Sequence, residues 1–507
     1  MAGKYVLGLD QSTQGTKLLL FDEVGRIVTR VDRAHRQIVN EQGWVSHDME
    51  EVYANVIALV KELFEKQGID GADIVSLGIS NQRETTVAWD AAGHPLAPAI
   101  VWQCGRAAGI AERMKHVWLD ESHQVCAGQG QNTTCAADYI REVTGLPLSA
   151  FFPAAKMRWL LENDCRDVPE EQLHMGTVDS YLVYRLTGGR VFATDASNAS
   201  RTQLMDLAGG SWSGEVLSIF GIPAGALPEI MDSNGFFGET DFDGVLEHKI
   251  PIRCVMGDSH GALYGQRCHE AGMMKTTYGT GSSMMLNTGE RCVASQHGLA
   301  TSLAWRIDGT ASYVLEGNIN YTGAVISWLK DDLGLIASAG DTNALCDQAN
   351  PEDTTVVVPA FTGLSAPYWE DNVKAAIVGM SRTTKKAELV RAAVESIAQQ
   401  ITDVYEAMKL DFGSDIAVLR ADGGPTKNPY LMQFQSDMTG ASVFASKAEE
   451  LSAIGVAYLA GIEAGVFDRE KVFENITYRE YTRTMDEPQR EAKRDAWKAA
   501  VKSILPE

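Results

Sequence analysis

Apolar residues at the start of the chain come in short runs, the spacing of buried strands rather than of helices. Residues 5–9 (YVLGL) form the first run and lead into Asp10. Residues 11–16 (QSTQGT) are polar, and apolar residues return in 17–21 (KLLLF). The pattern predicts strand, glycine-containing turn, strand. A second strand rather than a helix follows the glycine, so the turn is not a P-loop. Over 51–64 the spacing of Val52, Val56, Leu59, Val60 and Leu63 predicts a helix with one apolar face. Residues 74–79 read as a buried strand, and 156–163 and 180–186 as helices. Near residue 251 the pattern starts again: a strand at 252–256 ends at Gly257 and Asp258, and residues 275–286 (KTTYGTGSSMML) set a second turn between strands. A long amphipathic helix is expected over 386–408, with Leu389, Ala393, Ile397, Ile401, Val404 and Met408 on or near one face. Residues 418–420 lead as a strand into Asp422, Gly423 and Gly424, and the charged stretch 486–502 reads as a solvated helix. Alternating strands and helices predict an α/β architecture. The second start divides the chain into units 1–256 and 257–507.

The length of 507 residues fits two or three compact units. Apolar content of 45% and charged content of 22% are those of an ordinary soluble globular chain. The net charge of -23 disfavours nucleic acid and anionic membrane as partners. Eight cysteines are scattered without a CxxC pair, which argues against structural zinc and suits reduced thiols in the cytoplasm. Residues 1–4 lack the features of a signal peptide, and no run of about 18 apolar residues predicts a membrane span. The ten histidines include no HExxH pair.

Two turns rich in glycine and hydroxyl groups are candidates for phosphate binding: Asp10 to Lys17, and Thr277 to Ser283. Glycine lets backbone N–H groups approach an anion, hydroxyls add donors and Lys17 adds charge. Asp10, just before its turn, suits a Mg²⁺ partner for phosphates. Ordinary tight turns use the same residue types. Asp258 stands at a strand end, where ligands of α/β sheets bind, and its carboxylate suits a base for an attacking hydroxyl; a helix N-cap is the alternative. Arg83 and Glu84 together suit a polyhydroxylated ligand, or form a surface ion pair. Trp102 suits an apolar wall, or a core position.

Residues 78–86 (GISNQRETT), 100–104 (IVWQC), 198–202 (NASRT), 278–281 (YGTG), 363–369 (GLSAPYW) and 431–437 (LMQFQSD) are similar to segments of glycerol kinase. Residues 151–163 (FFPAAKMRWLLEN) and 375–395 fit the two signatures of the FGGY carbohydrate kinases. From about residue 5 to residue 480 the chain resembles that family. The resemblance implies two actin-like (ribonuclease-H-like) domains with a cleft between them, using ATP and Mg²⁺. It implies that Asp258 is the catalytic base and that Asp10 lies near Mg²⁺. Thr13, Gln14, Gly15 and Lys17 would surround the transferred phosphate. Thr280, Gly323, Ser327, Gly424 and Asn428 would face the nucleotide. Arg83, Glu84, Trp102, Phe151, Ser259 and Ser283 would face the acceptor alcohol. Relatives are commonly homodimers or homotetramers.

Three acceptor-side positions depart from glycerol kinase: Phe151 replaces a tyrosine, Ser259 a glutamine and Ser283 a phenylalanine. On the nucleotide side Ser327 replaces a glutamine. The smaller side chains lead to the expectation of an acceptor longer than glycerol, a tetritol, pentitol or ketopentose such as xylulose, with Ser259, Ser283 and His260 bonding its added hydroxyls. Glycerol itself is the alternative. A non-catalytic actin-like ATP sensor would retain the phosphate turns without the base, and a chaperone-type ATPase would not need Arg83, Glu84 and Trp102.

Overall fold

The computed structural model describes residues 4–68, 71–130, 132–370, 372–416 and 418–506. Residues 1–3, on which the reading of the N-terminus partly rests, lie outside that set. Strand Tyr5–Gln11 is central in the first large sheet. On one side it pairs antiparallel with Gly15–Phe21, which pairs antiparallel with Ile27–Ala34. On the other it pairs parallel with Ile74–Asn81, and that strand pairs parallel with Ile250–Gly257.

The second large sheet repeats this order. Central strand Met274–Tyr278 takes Ser282–Gly289 and then Thr310–Ile319 antiparallel on one side. On the other it takes Val418–Asp422 and then Ser442–Ser446 in parallel. The restart expected near residue 251 therefore falls at Met274 instead. Strand Ile250–Gly257 is paired into the first sheet; its apolar run looks like a new beginning only because every buried parallel strand looks alike in sequence.

Each sheet is covered by helices. Helix Met49–Gln67 buries the expected stripe, Val52, Val56, Leu59, Val60 and Leu63, against Leu7, Leu9, Leu18 and Leu20. The opposite face of the first sheet, with Val6, Leu19 and Phe21, packs on helices Asp258–Gly265 and Leu451–Glu463. The latter helix comes from the far end of the chain and lies so close that a Cβ on Gly78 would sit 2.2 Å from the Val456 carbonyl oxygen. Helix Lys386–Phe412 lays Val394, Ile397, Ile401, Val404 and Met408 on one face of the second sheet, against Met274, Tyr278, Met284 and Leu286. Strand alternation and register place Lys275, Thr277, Ser283, Glu316, Asn318 and Asp422 together on the other face.

The charged tail differs from its expectation. Helix Glu487–Lys502 is solvated on one side only. Trp497 is fully buried and donates through Nε1 to Asp403 at 2.7 Å, and Arg494 reaches the same carboxylate at 2.7 Å. Two large side chains three residues apart suffice to dock a helix whose composition is mostly polar.

Candidate active site

Asp10 stands at the carboxyl end of the central strand of the first sheet, where an α/β sheet presents ligand-binding groups. The Ser80 hydroxyl of the adjacent parallel strand donates to its Oδ1 at 2.5 Å. Lys17, across the hairpin, places Nζ 3.6 Å from Asp10 Oδ2 and 2.7 Å from Glu450 Oε2. The Asp10 carboxyl is raised to about 6, chiefly by burial, with Lys17 and the Ser80 hydrogen bond pulling it down and the charges of Asp258 and Glu450 adding to the rise. In the turn between the strands, Thr13 Oγ1 accepts from Trp102 Nε1 at 3.0 Å, and Gln14 is exposed. Gly15 is where the hairpin closes, its Cα facing the Arg33 carbonyl so tightly that a Cβ would lie 2.7 Å from that oxygen.

Asp258 follows strand Ile250–Gly257 and occupies the first turn of helix Asp258–Gly265, whose N-cap is Gly257 rather than Asp258. Its Oδ1 accepts from the Ser259 N–H at 2.6 Å and lies 3.4 Å from Arg83 Nε. The side chain is 34% exposed, open enough for a small alcohol to reach. Burial of the surrounding site nevertheless raises its carboxyl above the ordinary aspartate range, against the pull of the Arg83 guanidinium.

Arg83 and Glu84 do not pair with each other at the surface. Arg83 is buried and forms a bidentate pair with Glu316, Nη1 to Oε2 and Nη2 to Oε1, both 2.8 Å. Glu84, also buried and at φ 61°, accepts from Arg201 Nε at 2.6 Å. Arg201 Nη1 lies 3.1 Å from Glu316 as well. Glu316 belongs to the second sheet, so its carboxylate ties both arginines of the first half to the second half. Sequence reasoning assigned no role to Glu316, Arg201 or Lys275. Their signals were present: Arg201 lies inside the NASRT segment, and Glu316 is a lone charge in a strand of otherwise small and apolar residues. Lys275 is fully buried, donates to Thr277 Oγ1 at 2.8 Å, and is held below the usual lysine range by burial, with Asp422 opposing.

On the acceptor side, the Trp102 and Phe151 rings meet edge to face at 5.7 Å. Trp102 is half-buried, a wall rather than a core residue. Ser259 is half-buried beside Asp258, and Ser283 Oγ is sealed from water without a hydrogen-bond partner. His260, expected among the hydroxyl-bonding groups, is fully buried, with burial and then Arg83 holding it well below the usual histidine range. Like Ser283 Oγ, both of its ring nitrogens are sealed without a hydrogen-bond partner.

The nucleotide-side residues gather at one end of the second sheet. Thr280 is exposed at the turn between its first two strands, and its carbonyl accepts from Thr322 and Ala324 N–H groups at 2.9 and 3.0 Å. The Gly323 N–H donates to Gly279 O at 2.9 Å, Ser327 is exposed at the end of the helix that Gly323 begins, and Gly424 is exposed in the neighbouring turn. Asn428 caps helix Pro429–Thr439, accepting from Leu431 N–H at 3.0 Å, and its Nδ2 donates to Thr342 Oγ1 at 2.9 Å. Gly423 joins two of these turns: at φ 98° its missing Cβ would lie 2.0 Å from Tyr278 O. Gly423→Ala is therefore expected to cost roughly 1–3 kcal/mol, since it combines a left-handed conformation with a backbone clash. Thermal melting and nucleotide titration should show a lower Tm and an ATP KM raised more than the acceptor KM.

The arrangement thus brings Asp10, Lys17, Thr13, Trp102 and Phe151 into one contiguous set and joins Arg83 to Asp258. Thr280, Gly323, Ser327, Gly424 and Asn428 form a second group, on the other sheet.

The N-terminal domain of the FGGY family of carbohydrate kinases matches residues 5–265, and its C-terminal domain matches residues 274–464. A Thermotoga maritima protein named glycerol kinase 1 is 44% identical, covering 99% of this chain and 100% of that protein. A glycerol kinase of Carboxydothermus hydrogenoformans is 42% identical, over 99% of this chain and 98% of its own. The crystal structure of Plasmodium falciparum glycerol kinase with ADP superposes with a TM-score of 0.90 at 31% identity, covering 100% of this chain and 99% of that one. Xylulose kinase from Lactobacillus acidophilus shares the fold at 21% identity, with a TM-score of 0.85 over 99% of this chain and 97% of its own. The repeated sheet order is that of two actin-like lobes, and together with full-length kinship it shows that the chain belongs to the FGGY family of carbohydrate kinases, phosphotransferases that pass a phosphoryl group from ATP to an alcohol.

Proposed function

We propose that the protein phosphorylates a hydroxyl of glycerol, with Asp258 as the base that takes its proton. The observation that carries the reading is the placement of Asp258: a partly open carboxylate held by Arg83 at 3.4 Å, its charge felt at Asp10. Arg83, Glu84, Trp102, Phe151, Ser259 and Ser283 orient the acceptor. Thr13, Gln14, Gly15 and Lys17 surround the phosphoryl group in transfer, and Thr280, Gly323, Ser327, Gly424 and Asn428 hold the nucleotide. Residues 1–256 then carry the phosphate side and most of the acceptor side, and 257–507 the base, the nucleotide side and the two acceptor-side serines. As the proton leaves for Asp258, the acceptor oxygen attacks the γ-phosphorus in line and ADP departs. The protein contributes mainly position and charge neutralisation.

Asp10 fits a Mg²⁺ site, because its carboxylate stands at the strand end beside the phosphate turn, with Oδ2 no nearer than 3.6 Å to Lys17 and burial raising the group to about 6. Among the described residues no cluster of three or more His, Cys, Asp or Glu forms a cage, which suits an ion bound through one carboxylate, water and phosphate oxygens. When bound, Mg²⁺ would neutralise phosphate charge. All eight cysteines are free thiols, which supports a reducing compartment, the cytoplasm. No helix among the described residues is long and apolar enough to cross a membrane.

Glycerol as acceptor is supported by the relatives' names at 40–44% identity over nearly the whole chain. They weigh more than the longer acceptor that Phe151, Ser259 and Ser283 suggest. One observation favours the longer acceptor: the partnerless, sealed Ser283 hydroxyl, at a position where the resemblance to glycerol kinase implies phenylalanine. Steady-state ADP release over glycerol, erythritol, xylitol and xylulose decides between them. The expected result is the highest kcat/KM for glycerol, by at least about tenfold, the discrimination a pocket gains from one or two carbons. A higher value for a four- or five-carbon substrate would reverse the assignment.

A further inference from the structure

Lys156 lies on helix Pro153–Glu162 and is fully buried. Its hydrogen-bond partners are three backbone carbonyls rather than a carboxylate: Glu84 O and Trp102 O, each at 3.2 Å, and Phe151 O. An ammonium has three N–H groups and no acceptor, so these three bonds exhaust its capacity. Charge-assisted bonds of this kind are roughly twice as strong as neutral ones. The three carbonyls come from three separate segments of the chain: the turn after strand Ile74–Asn81, the loop after strand Ala99–Ile100, and the approach to the lysine's own helix. Each belongs to a residue that faces the acceptor in the reading above.

Burying an ammonium is expensive, and a lysine that only filled space would be better replaced by an apolar side chain. Burial pulls this one down to about 7, with Glu84 and Cys104 raising it and Arg106 lowering it further. The Glu84 backbone adds a second argument. Its φ of 61° is costly for a residue with a long side chain and persists only where the surroundings over-determine it. Lys156 holds its carbonyl and Arg201 holds its carboxylate at 2.6 Å, from two different elements.

We propose that Lys156 is a positioning residue, a three-legged tether that sets the mutual spacing of Glu84, Trp102 and Phe151 and thereby the shape of the acceptor pocket. The proposal rests on the reading that these three residues line that pocket. It makes no contact with acceptor or nucleotide and predicts a loss confined to the acceptor side.

Lys156→Met retains length and removes all three donors. Lys156→Arg retains the charge, but its planar fork does not direct three donors from one atom. In both variants the acceptor KM is expected to rise at least tenfold while the ATP KM stays within twofold. Hydrogen exchange of the full-length protein should speed up together at residues 83–85, 101–103 and 150–152 and remain unchanged in the second sheet. Equal losses for ATP and acceptor, or unchanged exchange in those segments, would overturn the proposal. Should Lys156→Met fail to fold, Lys156→Arg alone decides on the same criteria. If the wild-type protein phosphorylates none of the polyols tested, the functional reading fails on its own. The exchange measurement still judges the tether.

Discussion

Asp258→Asn is expected to lower kcat for phosphoryl transfer by roughly 10²–10⁴-fold, the usual contribution of a positioned general base. ATP binding should be unchanged. The substitution keeps the shape of the side chain and leaves the Arg83 contact available through the amide oxygen, so the lost function is proton acceptance alone. The nucleotide-side residues stand on the other sheet, at the turns around Thr280 and Gly424, and among the described residues Asp258 accepts its hydrogen bond from the Ser259 N–H and not from any of them. A calorimetric titration with ATP beside a coupled ADP assay separates the two effects. Turnover within threefold of wild type would remove Asp258 from the base role. Undiminished ATP binding with abolished transfer is what distinguishes a kinase base from a residue of a nucleotide sensor.

The second large effect is on stability. Glu316→Gln should destabilise the protein by about 3–5 kcal/mol, the cost of breaking a buried ion pair from one side. Glu316 is almost fully buried and receives Arg83 at 2.8 Å twice and Arg201 at 3.1 Å. Removing its charge leaves two buried guanidinium groups with less compensation and weakens a contact between the two halves. The effect depends on pH in a definite direction. Burial raises the Glu316 carboxyl, but Arg201 and Arg83 outweigh it and hold the group far below its ordinary 4.5. A depressed carboxyl binds fewer protons folded than unfolded. Its stabilisation is therefore complete above about pH 4.5, the unfolded value, and is lost progressively as pH falls below it. Denaturant titrations of wild type and Glu316→Gln between pH 3 and 7 should converge toward acid. Parallel curves at all pH values would mean that the carboxylate is not the stabilising group.

Where local pattern sufficed, expectation and structure agree closely. Tyr5–Gln11, Ile74–Asn81 and Val418–Asp422 were readable as strands, and Met49–Gln67 and Lys386–Phe412 as helices, from the spacing of apolar residues. The turn residues were readable too, because glycine is demanded by backbone geometry at the turn itself. Ile252–Met256 was also recognised as a strand, yet read as the start of a second unit rather than as part of the first sheet, since a strand's apolar run does not name its neighbours. The candidate site divides in the same way. Asp10, Arg83, Glu84, Trp102 and Asp258 follow strands and sit in recognisable motifs. Glu316 and Arg201 stood out as residues, but their pairing, like that of Glu450 and Lys156, could not be read, because a buried ion pair or carbonyl tether is a relation between distant segments.

Periodicity and short motifs along the chain were enough to establish an α/β chain with two glycine turns and a carboxylate at a strand end, because these depend on the few residues on either side. Folding alone decided that Arg83 meets a glutamate 233 positions away and that Lys17 meets one 433 positions away. It also decided that a helix beginning at Leu451 closes the first sheet. Such contacts are selected by packing and burial in three dimensions, which no local stretch of sequence encodes.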